Sequence, residues 1–150
     1  MTTPSIFSDV AAARDAKVDR SGAVRSQKAV ATIPASTAAD TIVGMIRFDE
    51  GFSLDQLAIV SADLDTATNV TLDVGFVYDS ASLTDNEDAF FDGIDIVQDA
   101  GSVVYPVADG LLTGTGFVAE GSGYIVVQTK GASTTTEGDI TVKALFSYDG

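Results

Sequence analysis

The chain has 150 residues, 45% of them apolar, with a formal net charge of −14 and neither histidine nor cysteine. That length supports one domain with a real core, burying roughly two thirds of the unfolded surface, and the missing side chains remove the commonest general base, the commonest zinc ligands, thiol nucleophiles and any disulfide framework. Charge is unevenly placed: residues 1–28 carry five of the eight cations (Arg14, Lys17, Arg20, Arg25, Lys28) against three carboxylates, and residues 29–150 carry three against nineteen, which divides the chain into a weakly basic arm, 1–28, and a strongly acidic body, 29–150.

In the arm, Ser8 is placed to cap a helix running from Asp9 to about Asp19, with Asp9 near its positive end. Val10, Ala13 and Lys17 give that helix only a thin apolar stripe, so it is marginal alone and orders on a partner; the bland alternative is a disordered tail. The body reads as strands. Eighteen of its and the arm's 22 carboxylates are Asp, and sixteen Thr accompany them, a bias towards β structure with polar turns and little helix. Strands are predicted at 28–33, 41–48 and 56–61. The clearest follows at 69–79, where Val70, Leu72, Val74, Phe76 and Tyr78 alternate with Thr71, Asp73, Gly75 and Val77. Thr84 or Asp85 then caps a single helical turn from Glu87 to Phe91, whose Phe90 and Phe91 close one end of the core. Further strands are predicted at 94–98, 102–106, 111–118 and 123–129, and the last, 139–148, alternates as cleanly as 69–79. Val77 and Leu145 fall on the outward faces and leave apolar surface there.

About nine short strands separated by Gly and Asp turns fit a sandwich and argue against a βαβ fold. The expected fold is all-β: a jelly-roll-like antiparallel β-sandwich preceded by an extended or partly helical N-terminal arm.

Several chemistries lack their residues. The cluster Asp85, Glu87, Asp88, Asp92 and Asp95 does not reproduce a calcium-loop spacing and reads as a solvated acidic loop. Paired carboxylates alone do not make a glycosidase, and no tryptophan offers a sugar platform. Gly114, Gly116, Gly121 and Gly123 are followed by no Gly-Lys-Ser/Thr and read as turns, and no serine sits in a nucleophile elbow. No catalytic residue, metal or cofactor is expected. Apolar runs such as Tyr124 to Val127 are far shorter than the roughly 20 residues of a membrane helix, and no signal-peptide core opens the chain, so the expectation is a soluble protein, made in the cytoplasm, with no membrane partner. The acidic body is repelled by phosphates, which argues against a nucleic-acid partner.

The stretch Thr71-Leu-Asp-Val-Gly-Phe-Val-Tyr-Asp79, followed by Asp85-Asn-Glu-Asp-Ala-Phe-Phe91 and Val97-Gln-Asp-Ala-Gly101, resembles small virion structural proteins of tailed bacteriophages. The resemblance extends through the apolar-turn-apolar stretch 47–60 and the final pair of strands within 123–148. It implies a jelly-roll-like capsid decoration, or cement, protein on the outer surface of the head, with the major capsid protein as partner and a homotrimer as the common state. The arm has no counterpart in the resemblance. Its chemistry suggests Ile6, Phe7 and Val10 as apolar anchors and Arg14, Lys17, Arg20 and Arg25 as partners for capsid carboxylates. The alternatives are a receptor- or glycan-binding module of a tail or head fibre, an enzyme, and a unit that assembles by itself.

Overall fold

The computed structural model describes residues 4–9, 11, 25–105 and 116–148. Among them run nine strands and no helix: β1 (Ile6–Phe7), β2 (Arg25–Ile33), β3 (Ile42–Phe48), β4 (Phe52–Ser61), β5 (Thr71–Tyr78), β6 (Asn86–Ile94), β7 (Gly101–Tyr105), β8 (Gly123–Lys130) and β9 (Gly138–Tyr148). They form two sheets, one ordered β1-β3-β8-β5-β6 and the other β2-β9-β4-β7. Apart from β1 and the β5–β6 hairpin, which stays within one sheet, the chain alternates between the sheets so that its first long strand pairs with its last, and its second with the one before last. All of these pairings are antiparallel. Two four-stranded sheets wound this way are a jelly roll, as the strand spacing predicts. The short β1 is an addition, pairing parallel with β3 at the edge of the first sheet.

Period-two side chains build the core between the sheets. In β9, Ile140, Val142, Ala144, Phe146 and Tyr148 face inward, opposite Leu72, Val74, Ile125 and Val127 from the other sheet, all buried. The core is graded along its length. At one end, Phe48, Phe52, Phe76, Tyr78, Phe90, Phe117, Phe146 and Tyr148 form a continuous set of ring contacts, with centroids 4.4 to 6.3 Å apart. The other end is aliphatic, filled by Ile33, Val43, Ile59, Leu64, Val70 and Ile140.

Three expectations are corrected. No helical turn spans Glu87 to Phe91; these residues belong to β6, an edge strand with two irregularities. Asn86 lies opposite Phe76 and Phe91 opposite Val74, so four residues bulge against Gly75 alone. Phe90 still reaches the aromatic end of the core, 6.1 Å from Phe76. Second, 94–98 is not a strand: β6 ends at Ile94, and Ile96 and Val97 are buried from a turn that plugs the aliphatic end, where Val97 accepts the Leu64 N–H at 2.8 Å. Third, the described part of 111–118 contains only one bridge, Val118 to Ser53; residues 111–115 lie outside the described residues.

Candidate functional site: the arm and the two outer faces

Of the helix expected from Asp9 to about Asp19, only Asp9 and Ala11 are among the described residues, both in a turn; the rest, with Val10, Arg14, Lys17 and then Arg20, lies outside them. The start of the arm is tied to the sandwich. Ile6 pairs with Val43 and is half-buried against the core, and Phe7 pairs with Gly44 on the outer side. Phe7 fits because Gly44 has no side chain: a Cβ there would stand 2.9 Å from the Phe7 ring. The ring also lies 5.5 Å from that of Tyr124. Ser8 is fully buried, donates its hydroxyl to the Met45 carbonyl and accepts the Ala11 N–H at 3.0 Å across a turn. Asp9 crosses to the other sheet, its N–H donating to the Val30 carbonyl at 2.9 Å and its carboxylate accepting the Val30 N–H at 2.8 Å. Residues 5–9 thus clasp the edges of both sheets. Arg25, the last of the suggested contact residues, is exposed at the start of β2.

The outer face of the β1-β3-β8-β5-β6 sheet is closed and acidic. Ile42, Val77 and Val126 form a small second cluster with Tyr124. Val77 is only 1% exposed, which corrects the expectation that it offers apolar surface. Beside it Arg47 pairs with Asp79 at 2.8 Å and lies over the Tyr124 ring; the Asp79 hydrogen bond raises its already high pKa. Lys130 pairs with Asp40 at 2.8 Å. Asp73 is 7% exposed and accepts the Gly93 N–H at 2.8 Å; burial raises its pKa, and Asp92 and Asp88 nearby push the same way.

The outer face of the β2-β9-β4-β7 sheet is different. Strand register lays its outward residues in rows: Val118, Ser53 and Ser147; Gln56, Leu145 and Ser26; Val104, Ala58, Lys143 and Lys28; Ser102, Val60, Thr141 and Val30. Lys28 and Lys143 stand directly opposite each other. They line a shallow groove of about 480 Å³ whose floor is Ala58, Val60 and Thr141. Of the exposed large apolar residues, Val60 (53%), Val118 (46%) and Val104 (42%) are on this face, and Phe7 (38%) is not. The nearest carboxylates in register are Asp139, held by the Thr32 hydroxyl at 2.7 Å one row beyond Thr141, and Asp55 at the β4 bulge. Leu145, expected on an outward face, is there and half-buried.

The other polar clusters serve the fold. Asp85 accepts the Tyr78 N–H at 2.7 Å, and the remaining acidic residues of its group follow the β6 edge and the turn after it. Sequence reasoning passed over Asp65, which is buried in the loop between β4 and β5 and accepts N–H bonds from Ala67, Asn69 and Val70 at 3.1, 2.8 and 2.9 Å, bonds that lower its pKa. Its bond to the Ala67 N–H two residues on is an Asx-turn, the one local pattern by which a loop Asp signals this role. Nor did the sequence expose the Lys28–Lys143 pairing, because neither residue belongs to a local motif.

No protein-family model and no curated protein matches this sequence. Solved structures do. A chain of the capsid of Ralstonia phage GP4 superposes with a TM-score of 0.67 at 17% identity, covering 89% of this chain and 90% of that one. A chain of the cyanophage Pam1 capsid asymmetric unit gives 0.62 at 16% identity, over 93% and 96%. One from the acidic stable capsid of Helicobacter pylori bacteriophage KHP30 gives 0.50 at 12% identity, over 81% and 86%. At these identities the likeness is one of fold. Coverage is nearly reciprocal, so each of these chains is about as long as this one.

Proposed function

We propose that this chain is a phage capsid decoration, or cement, protein: it binds the outer surface of the head and stabilises it by bridging neighbouring copies of the major capsid protein. The observation that carries this reading is the recurrence of its fold, at its length, in three phage capsid structures. The acidic body supports a decorating over a shell-forming role. A net charge of −14 on so small a domain makes close tiling of identical copies repulsive, whereas spaced copies facing solvent pay little. Binding only the assembled lattice stabilises it by mass action, and repeated attachment points strengthen a weak single contact. The arm cations Arg14, Lys17, Arg20 and Arg25, with Val10 and the exposed ring of Phe7, belong to this reading as the tether along the shell, Ile6 rooting that tether in the sandwich instead of meeting the shell, and the trimer is carried over from the resemblance. No catalysis is part of it.

The test uses heads produced without this chain. Purified protein added back is expected to co-sediment with them, saturate at a fixed number of copies per capsid, and raise the temperature at which they release DNA. Absence of co-sedimentation, or binding only inside opened heads, refutes the proposal. Sedimentation of the free protein reads its oligomeric state.

A further inference from the structure

The outer face of the β2-β9-β4-β7 sheet combines three features. Its two central rows hold no carboxylate, although the chain carries 22. Those rows place Lys28 directly across from Lys143, and like charges in that position repel each other. Among the described residues neither makes an ion pair, in contrast to Arg47 and Lys130 on the opposite side. Around them lie Val60, Val104 and Val118, the most exposed large apolar side chains among the described residues. Water hydrates the two ammonium groups but leaves the valines as exposed apolar surface. A protein surface presenting carboxylates between aliphatic side chains satisfies all of it: the carboxylates neutralise the facing ammonium groups, and the aliphatic groups cover the valines.

We propose that this face is the seat by which the chain docks on its shell partner, and that the partner offers it an acidic, aliphatic patch. The proposal rests on the decoration role above and names the surface that performs it. Two considerations favour the shell over a second copy as occupant. Four strands and four rows make a footprint of about 20 Å by about 27 Å, roughly 500 Å², below the ~800 Å² per partner of a stable pairwise interface. Such a face is adequate where lattice repetition and an arm add to it, and thin for a free-standing dimer. A second copy also brings its own charge of −14, whose long-range repulsion opposes a face-to-surface contact.

The experiment compares wild type with Lys28→Gln/Lys143→Gln for binding to heads that lack the chain. Ala81→Glu/Ser133→Glu, at two exposed loop positions, lowers net charge equally and controls for it. Wild-type binding is expected to weaken with rising salt, the lysine variant to lose at least about tenfold in affinity, and the loop control to bind within about twofold of wild type. Thermal unfolding of the lysine variant should fall within about 2–4 °C of the loop control, which carries the same net charge, and this excludes misfolding as the cause. Equal binding by wild type and the lysine variant overturns the proposal while leaving the decoration role standing; failure of wild type to bind overturns both. A lysine variant that binds heads normally but sediments as a smaller species than wild type shows that another copy occupies the face, and also overturns it.

Discussion

Replacing Ser8 by alanine asks whether residues 5–9 belong to the folded body. The hydroxyl makes two bonds, donating to the Met45 carbonyl and accepting the Ala11 N–H at 3.0 Å, in a site with no exposure. Losing a bond of this kind costs about 0.5–1.5 kcal/mol, and leaving the partner buried raises that to about 1–3 kcal/mol. Cavity formation adds little, since only an oxygen is removed. The expected loss is therefore about 1–3 kcal/mol, against the roughly 5–15 kcal/mol that holds a typical domain together. For a chain of this length each kcal/mol lowers the melting temperature by about 2–4 °C. Guanidinium denaturation gives the free energy, and hydrogen exchange at Val30 gives the location. The Val30 N–H is held by the Asp9 carboxylate at 2.8 Å, so loosening the clasp at Ser8 should speed its exchange. A loss below about 0.5 kcal/mol with unchanged Val30 exchange would mean that the bonds at Ser8 contribute only what water supplies in the unfolded chain, and would refute the clasp.

Three further substitutions test the sheet that the clasp joins. Gly75→Ala places a Cβ 2.0 Å from the Asn86 carbonyl oxygen, a backbone atom that cannot swing aside, so it should cost about 3 kcal/mol or more; Gly93→Ala, at φ +69° with open space around it, should cost only about 1–2 kcal/mol. Melting curves giving the reverse order would undo the account of the β6 bulge. Asp73→Asn removes a charge that burial disfavours while its side-chain oxygen can still accept the Gly93 N–H. The folded pKa of Asp73 is raised, so the wild-type native state binds the extra proton and loses stability as pH climbs from the unfolded value of about 3.9 through the folded one. The variant should melt higher than wild type at neutral pH, with the gap closing in acid; a variant less stable than wild type at pH 7 contradicts this.

Alternation made some of the fold legible. Strands β5 and β9 could be read directly because one face of each is apolar without interruption, from Leu72 to Tyr78 and from Ile140 to Tyr148. Strand β6, Asn-Glu-Asp-Ala-Phe-Phe-Asp-Gly-Ile, could not. It has one neighbour, its bulges break the period, and pairing with β5 overrides the poor strand propensity of its acidic residues. The opposite error arose at Ile96 and Val97, where apolar side chains plug the end of the core from a turn, and periodicity does not separate a plug from a short strand. The polar start of β2, Arg25 to Gln27, is held as strand only because β9 offers partners as far as Phe146.

Charge was legible as a total and along the chain, but not by face, and the reason is topological. A jelly roll draws each sheet from strands scattered over the sequence, and its first long strand lies beside its last. The cations Arg25 and Lys28 sit on β2, and register sets Lys28 against Lys143, the one cation of the last strand. A linear scan counts the first two with the arm and leaves the third isolated in an acidic body. Once folded, Lys28 and Lys143 share one outer face, with Arg25 at the start of β2 on the edge of the same sheet. Side chains on the opposite sheet meet the reverse condition, with Arg47 and Lys130 each taken by a carboxylate. The sandwich is therefore electrically two-sided. A field of that kind orients an approaching molecule before contact, turning the cationic side towards any acidic lattice and the carboxylates towards solvent.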